Sequence, residues 1–338
     1  MFLGDCMKNI KKLALSLAIS FVVLEVNPAF AANRIDLGVD TGNVSFSEGT
    51  FNLKQNEILK NEVLYEIRNI RSKMWDENIL YTLDDTNSKA ERLQDVAKAN
   101  GYQNKEAYVN AIKWSINLEK IAIQRAYEQT ITGLSHQRPD GSNKSTAVSK
   151  NGIYANAEIL AASTEIENPA KSFYQWTYEA SKNKNNKSEY QLIKEAKGVF
   201  NLYNGHLHIL LDPELKSIGY ADLNTNSKWN YSVGVFDYNI DNNQASANLV
   251  GSYNIYAGNI KDAPKIEEEK ESNTKEISDE TIEKLKKSVK KSEQTIAGAK
   301  VLMRTMPKFA KEHGQKIKEL IANSQRIIDQ AKKILANY

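Results

Sequence analysis

From Asn56 onward the apolar residues Leu59, Val63, Ile67 and Ile70 recur every three or four positions, the spacing that lines one face of a helix. A second, stronger pattern through Trp114, Leu118, Ile121, Ile123 and Ala126 predicts another helix, and Asn100-Gly101 between the two reads as a helix stop and turn. Farther on, Asn168 and Pro169 form an N-cap and first-turn pair ahead of Phe173 and Trp176, which share a helical face. Strand signals come late. Ile218-Gly219-Tyr220, Tyr231 to Tyr238 and Leu249 to Tyr256 combine β-branched and aromatic residues between Asn-rich turns. Helices first and an antiparallel sheet last predict an α+β class. Residues 33–54 mix Asp, Gly, Asn, Ser and Thr around a few apolar positions and read as a loose lead-in, with an edge strand around Val44 to Phe46 as the ordered alternative.

Pro264 and the charge run Glu267 to Glu271 mark a linker over 261–277, after which the pattern is purely helical. Ile282, Leu285, Val289, Ile296, Ala299, Met303 and Met306 fit a heptad seam broken by Ser292. Pro307 marks a turn, and Ile317, Leu320, Ile321, Ile327, Ile328, Ala331, Ile334 and Leu335 supply a facing stripe, so residues 278–338 are expected as a helical hairpin. Two such helices bury little by themselves, so the seam calls for a partner surface, another copy or the preceding domain.

Charge separates the two regions. Lys275 to Tyr338 carries 15 Lys or Arg against 8 Asp or Glu, whereas residues 33–274 sum to −5 within a chain of formal net charge +3. The basic hairpin is suited to salt-sensitive attraction to an anionic polymer such as a Gram-positive cell wall, or is simply a solvated charged face. At the other end, Lys8, Lys11 and Lys12 precede an apolar run from Leu13 to Val26, and Ala29-Phe30-Ala31 offers small residues for cleavage, so residues 1–32 read as a secretory signal peptide. The run is too short for a bilayer-spanning helix and Glu25 interrupts it, so no transmembrane segment is expected in the mature protein. The only cysteine is Cys6, which leaves the mature chain without disulfides, thiol nucleophiles or Cys-ligated zinc. A hydrophobic content of 41% with balanced charge describes a soluble globular protein held by packing.

Four histidines, His136, His206, His208 and His313, are candidates for chemistry, and any one alone is more often structural than functional. Their contexts add weight. Ser135-His136-Gln137-Arg138-Pro139-Asp140-Gly141 follows an amphipathic helix and ends in a Pro-Asp-Gly turn, and Asn204-Gly205 places His206 just ahead of Leu207 to Leu211 and Asp212-Pro213. The order of these segments, with Ala157-Glu158-Ile159, the Trp176-x-x-Glu179 helix, the Ile218-Gly219-Tyr220 strand and the ending Tyr253 to Asn259, resembles the CAP superfamily of SCP-type domains. The resemblance covers about 55–260. It implies an α-β-α sandwich with a central cleft lined by two histidines and two acidic residues, here His136, Glu158, Glu179 and His206. Alanine stands for the family's glycine before Glu158 and isoleucine for its asparagine after it, so this position departs most from the pattern.

Two imidazoles with two carboxylates suit a divalent cation of the zinc class held by His136 and His206 and completed by water. In the preferred alternative the carboxylates orient the imidazoles from behind. A purely structural polar cluster is a third possibility. The resemblance implies a secreted binding or interaction module, taking a ligand, lipid or protein in its cleft, and the charge of the basic helical end adds the expectation that it is held at the cell surface. The alternatives are a hydrolase, peptidase-like, in which His206 or Glu179 moves protons, and a host-facing adhesin. Asp237-x-Asn239-x-Asp241 imitates the start of a calcium loop, but Asn242 and Asn248 occupy its glycine and glutamate positions, so a polar turn is expected. No P-loop, dinucleotide fingerprint or HExxH occurs, and no nucleic-acid partner is expected.

Overall fold

A computed structural model describes residues 33–83, 89–182, 185–225, 229–264 and 279–305, with scattered positions between 311 and 335. The chain divides into one unit spanning Ala31–Lys265 and a second that includes Ile266–Tyr338. The expected signal peptide, the charge run Glu267 to Glu271 of the expected linker, Pro307 and His313 lie outside the described residues, while the start of that linker, 261–264, is described and begins in a short 3-10 turn at Ile260–Asp262.

Local capping starts most of the helices in the first unit. Asn56 accepts from the Ile58 and Leu59 amides to open α1 (Glu57–Glu77), which buries Leu59, Val63, Ile67, Ile70 and Met74 on one side. Helix α2 (Leu93–Ala99) stops at Asn100, where Gly101 supplies the left-handed φ of +91° that the turn needs. Asn104 caps α3 (Lys105–Val109) and Ser115 caps α4 (Ile116–Thr132). Trp114 falls outside the helix its spacing suggested. It ends strand β5 (Lys113–Trp114), because it pairs with Ile218 across the sheet. Asn168 and Pro169 open α5 (Pro169–Thr177), a capping box of Ser188 and Gln191 opens α6 (Glu189–Glu195), and α7 runs Gly205–Leu211.

The main sheet has the order β5-β7-β8-β6, with β7 at Ser217–Leu223, β8 at Asn230–Asp237 and β6 at Ala157–Ser163. β8 runs antiparallel to both β7 and β6. Its two faces are both buried. Ile159, Ala161, Ile218, Tyr220 and Phe236 join a core with α1, α5 and α7, while Leu160, Ala221, Leu223, Val233 and Val235 join a second core with α4. Gly219 sets the distance of α4 from the sheet, since a Cβ there would lie 2.1 Å from the Leu118 carbonyl carbon. Helical and sheet elements thus make an α+β unit with helices on both faces of the sheet.

The last strand signal does not extend this sheet. β9 (Leu249–Ala257) lies between β1 (Asn33–Arg34) and β2 (Ser47–Gln55) in a separate three-stranded sheet, with Ser47↔Ala257 and Gln55↔Leu249 at the ends of the β2 register. Residues 33–54, expected as loose, therefore contribute two strands, and the strand starts at Ser47 rather than at Val44 to Phe46. Its pattern is faint because only Leu53 and Gln55 are fully buried in an otherwise polar segment. A short pair of β3 (Leu80–Tyr81) and β4 (Glu91–Arg92) completes the strands.

In the second unit α8 spans Asp279–Thr305 and buries Leu285, Ile296 and Ala299, three of the expected seam residues. From the expected facing stripe Ile328 is buried, and Lys332 pairs with Glu293 at 2.6 Å. Met306, Leu320, Ile327 and Ile334 lie outside the residues whose side chains are described.

Candidate functional site

His136 is presented by the loop between α4 and β6. Its backbone is anchored one residue earlier, where the Ser135 amide donates to Gln129 and the Ser135 carbonyl accepts from Gln129 and from Arg125. The imidazole Nδ1 donates to Glu158 Oε2 at 2.8 Å. Glu158 itself is fully buried on β6, while the ring is 59% exposed, so a fixed carboxylate aims a solvent-facing imidazole. Burial of this carboxylate is tolerated because Arg125 Nε donates to its other oxygen at 2.7 Å. Arg125 in turn contacts Glu128 at 2.5 Å, and Arg138 donates to Glu128 at 2.7 Å and to Asp40 at 2.6 Å. Burial opposes the charge on both arginines, but hydrogen bonds to Glu158 and Glu128 (Arg125), and to Glu128 and Asp40 (Arg138), outweigh it and hold their pKa above the ordinary value.

His206 has a different support. Its Nδ1 donates to Glu189 Oε1 at 2.7 Å, and the other Glu189 oxygen accepts from the Leu207 amide at 2.8 Å. Asn204, the N-cap of α7, makes no side-chain cap bond, so Glu189 supplies the acceptor that the exposed amides at this helix start require. Glu189 is 1% exposed and His206 30%. Trp176 ties this pair to the strand that carries Glu158: its ring lies 6.5 Å from that of His206, and its Nε1 donates to the Leu160 carbonyl of β6.

The expected residues are thus distributed unevenly. His136 and Glu158 are brought together, and His206 meets a buried glutamate, but that glutamate is Glu189. Glu179 is exposed beyond the end of α5, with its amide bonded to the Tyr174 carbonyl. The helix stops at Thr177, so the three-residue spacing from Trp176 no longer keeps the two side chains on one face. His208 is a buried core residue. It donates from Nε2 to the Thr82 carbonyl at 2.6 Å, stacks on Tyr81 at 4.4 Å, and burial lowers its pKa. Asp237 and Asp241 spend their oxygens on Asn156, Ser115, Asn117 and the Asn243 amide, which makes their segment a polar turn.

In both histidine pairs the carboxylate takes Nδ1, and among the described residues no hydrogen bond engages either Nε2. Such an imidazole can donate to or accept from a ligand, move a proton, or bind a cation. The two Nε2 atoms are chemically suitable zinc-class ligands. Among the described residues, however, no group of three or more His, Cys, Asp or Glu side chains is placed to hold a metal, so any ion there would need water or a ligand to complete its shell.

Sequence reasoning missed Glu189 and the ladder of Arg125, Glu128, Arg138 and Asp40. A signal for the ladder was present: α4 carries Arg125 and Glu128 on a helix whose neighbours Ile121, Ala122 and Ala126 are all fully buried, and buried charges require partners. Glu189 had only the Ser188-Glu189-Tyr190-Gln191 helix start to mark it.

No curated protein matches the chain. Residues 67–238, just over half of it, match the profile of the cysteine-rich secretory protein family, CAP. The family's name refers to cysteines, yet the single cysteine of this chain, Cys6, lies outside the matched segment. With that match and the order of its helices and strands, the chain belongs to the cysteine-rich secretory protein (CAP) family.

Proposed function

We propose that this is a secreted binding module whose cleft presents His136 and His206 to a ligand or partner. The observation that carries this reading is the shared arrangement of the two rings, each fixed through Nδ1 by a buried glutamate and each with Nε2 left for something outside the protein. His136 and His206 would hold a divalent cation of the zinc class where one is present, with Glu158 and Glu189 orienting the rings. A bound cation would supply a Lewis-acidic anchor for an anionic ligand group. Calorimetric titration of the full chain with zinc alone, repeated with His136→Ala and His206→Ala, tests this part. Binding weakened at least about tenfold by either substitution is expected, and undiminished affinity in both variants would remove the metal from the proposal.

Export by a leader over residues 1–32 and noncovalent retention at an anionic cell surface by the basic region after Lys275 complete the reading. Among the described residues no helix is long and apolar enough to cross a membrane. Deleting residues 275–338, or washing cells with high salt, should shift the protein from the cell surface to the medium. Unchanged partitioning in both would leave the retention idea without support.

A further inference from the structure

We infer that Asp40, on the N-terminal arm and outside the family-matched segment, is a positioning residue for His136, acting through the buried ladder Arg138, Glu128, Arg125 and Glu158. This rests on reading His136 as a cleft residue.

The arm is fastened at several points. Val39 bridges to Ser149, the Asp40 amide donates to the Val148 carbonyl, and Thr41 exchanges hydrogen bonds with Gly258. It also holds the loop that carries His136, since the Asn43 amide donates to Asp140 Oδ2, a contact that helps pull the Asp140 pKa down to about 2. The side chain of Asp40 meets Arg138 through Nη1 at 2.6 Å, and its carbonyl accepts from Nη2 at 2.8 Å. From Asp40 inward, charges alternate in sign through Arg138, Glu128, Arg125 and Glu158 to the ring of His136. The four between the ends have side chains at most 1% exposed. Lys144, which donates to the Asn156 carbonyl, is a further cation coupled to Glu158.

Alternation gives the effect a sign. Each arginine is shared between two acids, so removing the Asp40 carboxylate leaves Glu128 as the one acid paired with Arg138, beside the neutral Asp40 carbonyl and Thr146 hydroxyl. Glu128 then draws less on Arg125, and Arg125 engages Glu158 more fully. Glu158 becomes the weaker acceptor for His136 Nδ1–H. Asp40 itself is 56% exposed, so solvent takes part of its place, but the four side chains behind it are shielded and pass the remaining change inward.

The tautomer of neutral His136 reports the contact. A carboxylate acceptor at Nδ1 requires the proton there, whereas an unconstrained imidazole prefers Nε2–H. Ring carbon and nitrogen chemical shifts of the full chain at pH 9, where an ordinary imidazole is neutral, separate the two forms. Asp40→Ala is expected to lower the ratio of Nδ1–H to Nε2–H at His136 at least about twofold, with Asp40→Glu restoring it. His206 is the internal control and should not move, because its glutamate is outside the ladder. Asp36→Asn is the second control: it breaks an arm ion pair, with Lys150 at 2.6 Å, that does not touch the ladder. Should truncation unfold the protein, the isosteric Asp40→Asn gives the same reading. An unchanged His136 ratio, an equal shift at His206, or an equal shift from Asp36→Asn would overturn the inference. Since the readout is the ring and not ligand binding, its failure leaves the cleft reading intact, and failure of zinc binding leaves this one intact.

Discussion

The two histidine–glutamate pairs make the same contact with different support behind it. Glu158 belongs to a buried row of alternating charges that starts on the N-terminal arm, whereas Glu189 is attached to a helix start and meets the Leu207 amide as well as the ring. Both arrangements solve the same problem, which is the cost of burying a carboxylate. The first solves it with guanidinium groups and ties the imidazole to distant parts of the chain. The second includes a backbone amide at the start of the next helix. The pair on the ladder should therefore be sensitive to substitutions along the whole row of charges.

Arg125→Met should give the largest effect. It leaves Glu158 buried without its guanidinium and Glu128 with Arg138 as its remaining guanidinium, and a loss of about 3–5 kcal/mol in urea unfolding is expected. A loss below about 1 kcal/mol would mean that the ladder is dispensable for folding.

Glu119 sharpens the comparison, because it sits on the same helix as Arg125 and among the described residues no cation pairs with it. Its partners are Trp114 Nε1 and the Ala247 amide, and burial drives its pKa up to about 7. With the folded value above the unfolded one, the native state holds the extra proton between roughly pH 4.5 and 7. This contribution to stability is complete at low pH and is lost as pH rises through that window. Glu119→Gln should abolish it, raising stability at pH 8 relative to pH 4 by on the order of 3 kcal/mol compared with the parent protein. Parallel stability curves for parent and variant would count against a buried neutral Glu119.

On the other pair, Glu189→Gln should cost about 1–2 kcal/mol, since an amide oxygen can still accept one hydrogen bond but not serve both the ring and the Leu207 amide as well. Chemical denaturation measures it, and a cost equal to that of Arg125→Met would erase the distinction between the two supports. The smallest effect is expected from His136→Ala, below about 0.5 kcal/mol, because the ring is mostly solvent-exposed and Glu158 keeps Arg125. A large loss there would make His136 a structural residue and weaken the cleft reading.

Much of the first unit was legible along the chain. Helix starts at Asn56 and Asn168 and the apolar faces behind them depend on residues within one or two turns of each other, and His136, Glu158 and His206 could be placed by the order of their motifs. The glutamate beside His206 could not. Trp176-x-x-Glu179 is a local spacing, and it loses its meaning where α5 stops at Thr177, whereas Glu189 reaches His206 only because α6 and α7 pack together. Strand β2 was hidden for a similar reason: its partner β9 lies some 200 residues away, and its own pattern is mostly polar.

What the sequence determined by itself is what neighbouring residues decide among themselves: caps, helical faces, turn glycines and the lack of disulfide chemistry after Cys6. The tertiary structure decided which charges meet. Asp40 and Arg138 are 98 positions apart, and Arg125 and Glu158 are 33. No periodicity encodes such a pairing, because a buried charge constrains only that some partner exist, and the packing of α4 against the sheet and of the arm against the 135–142 loop selects which one it is.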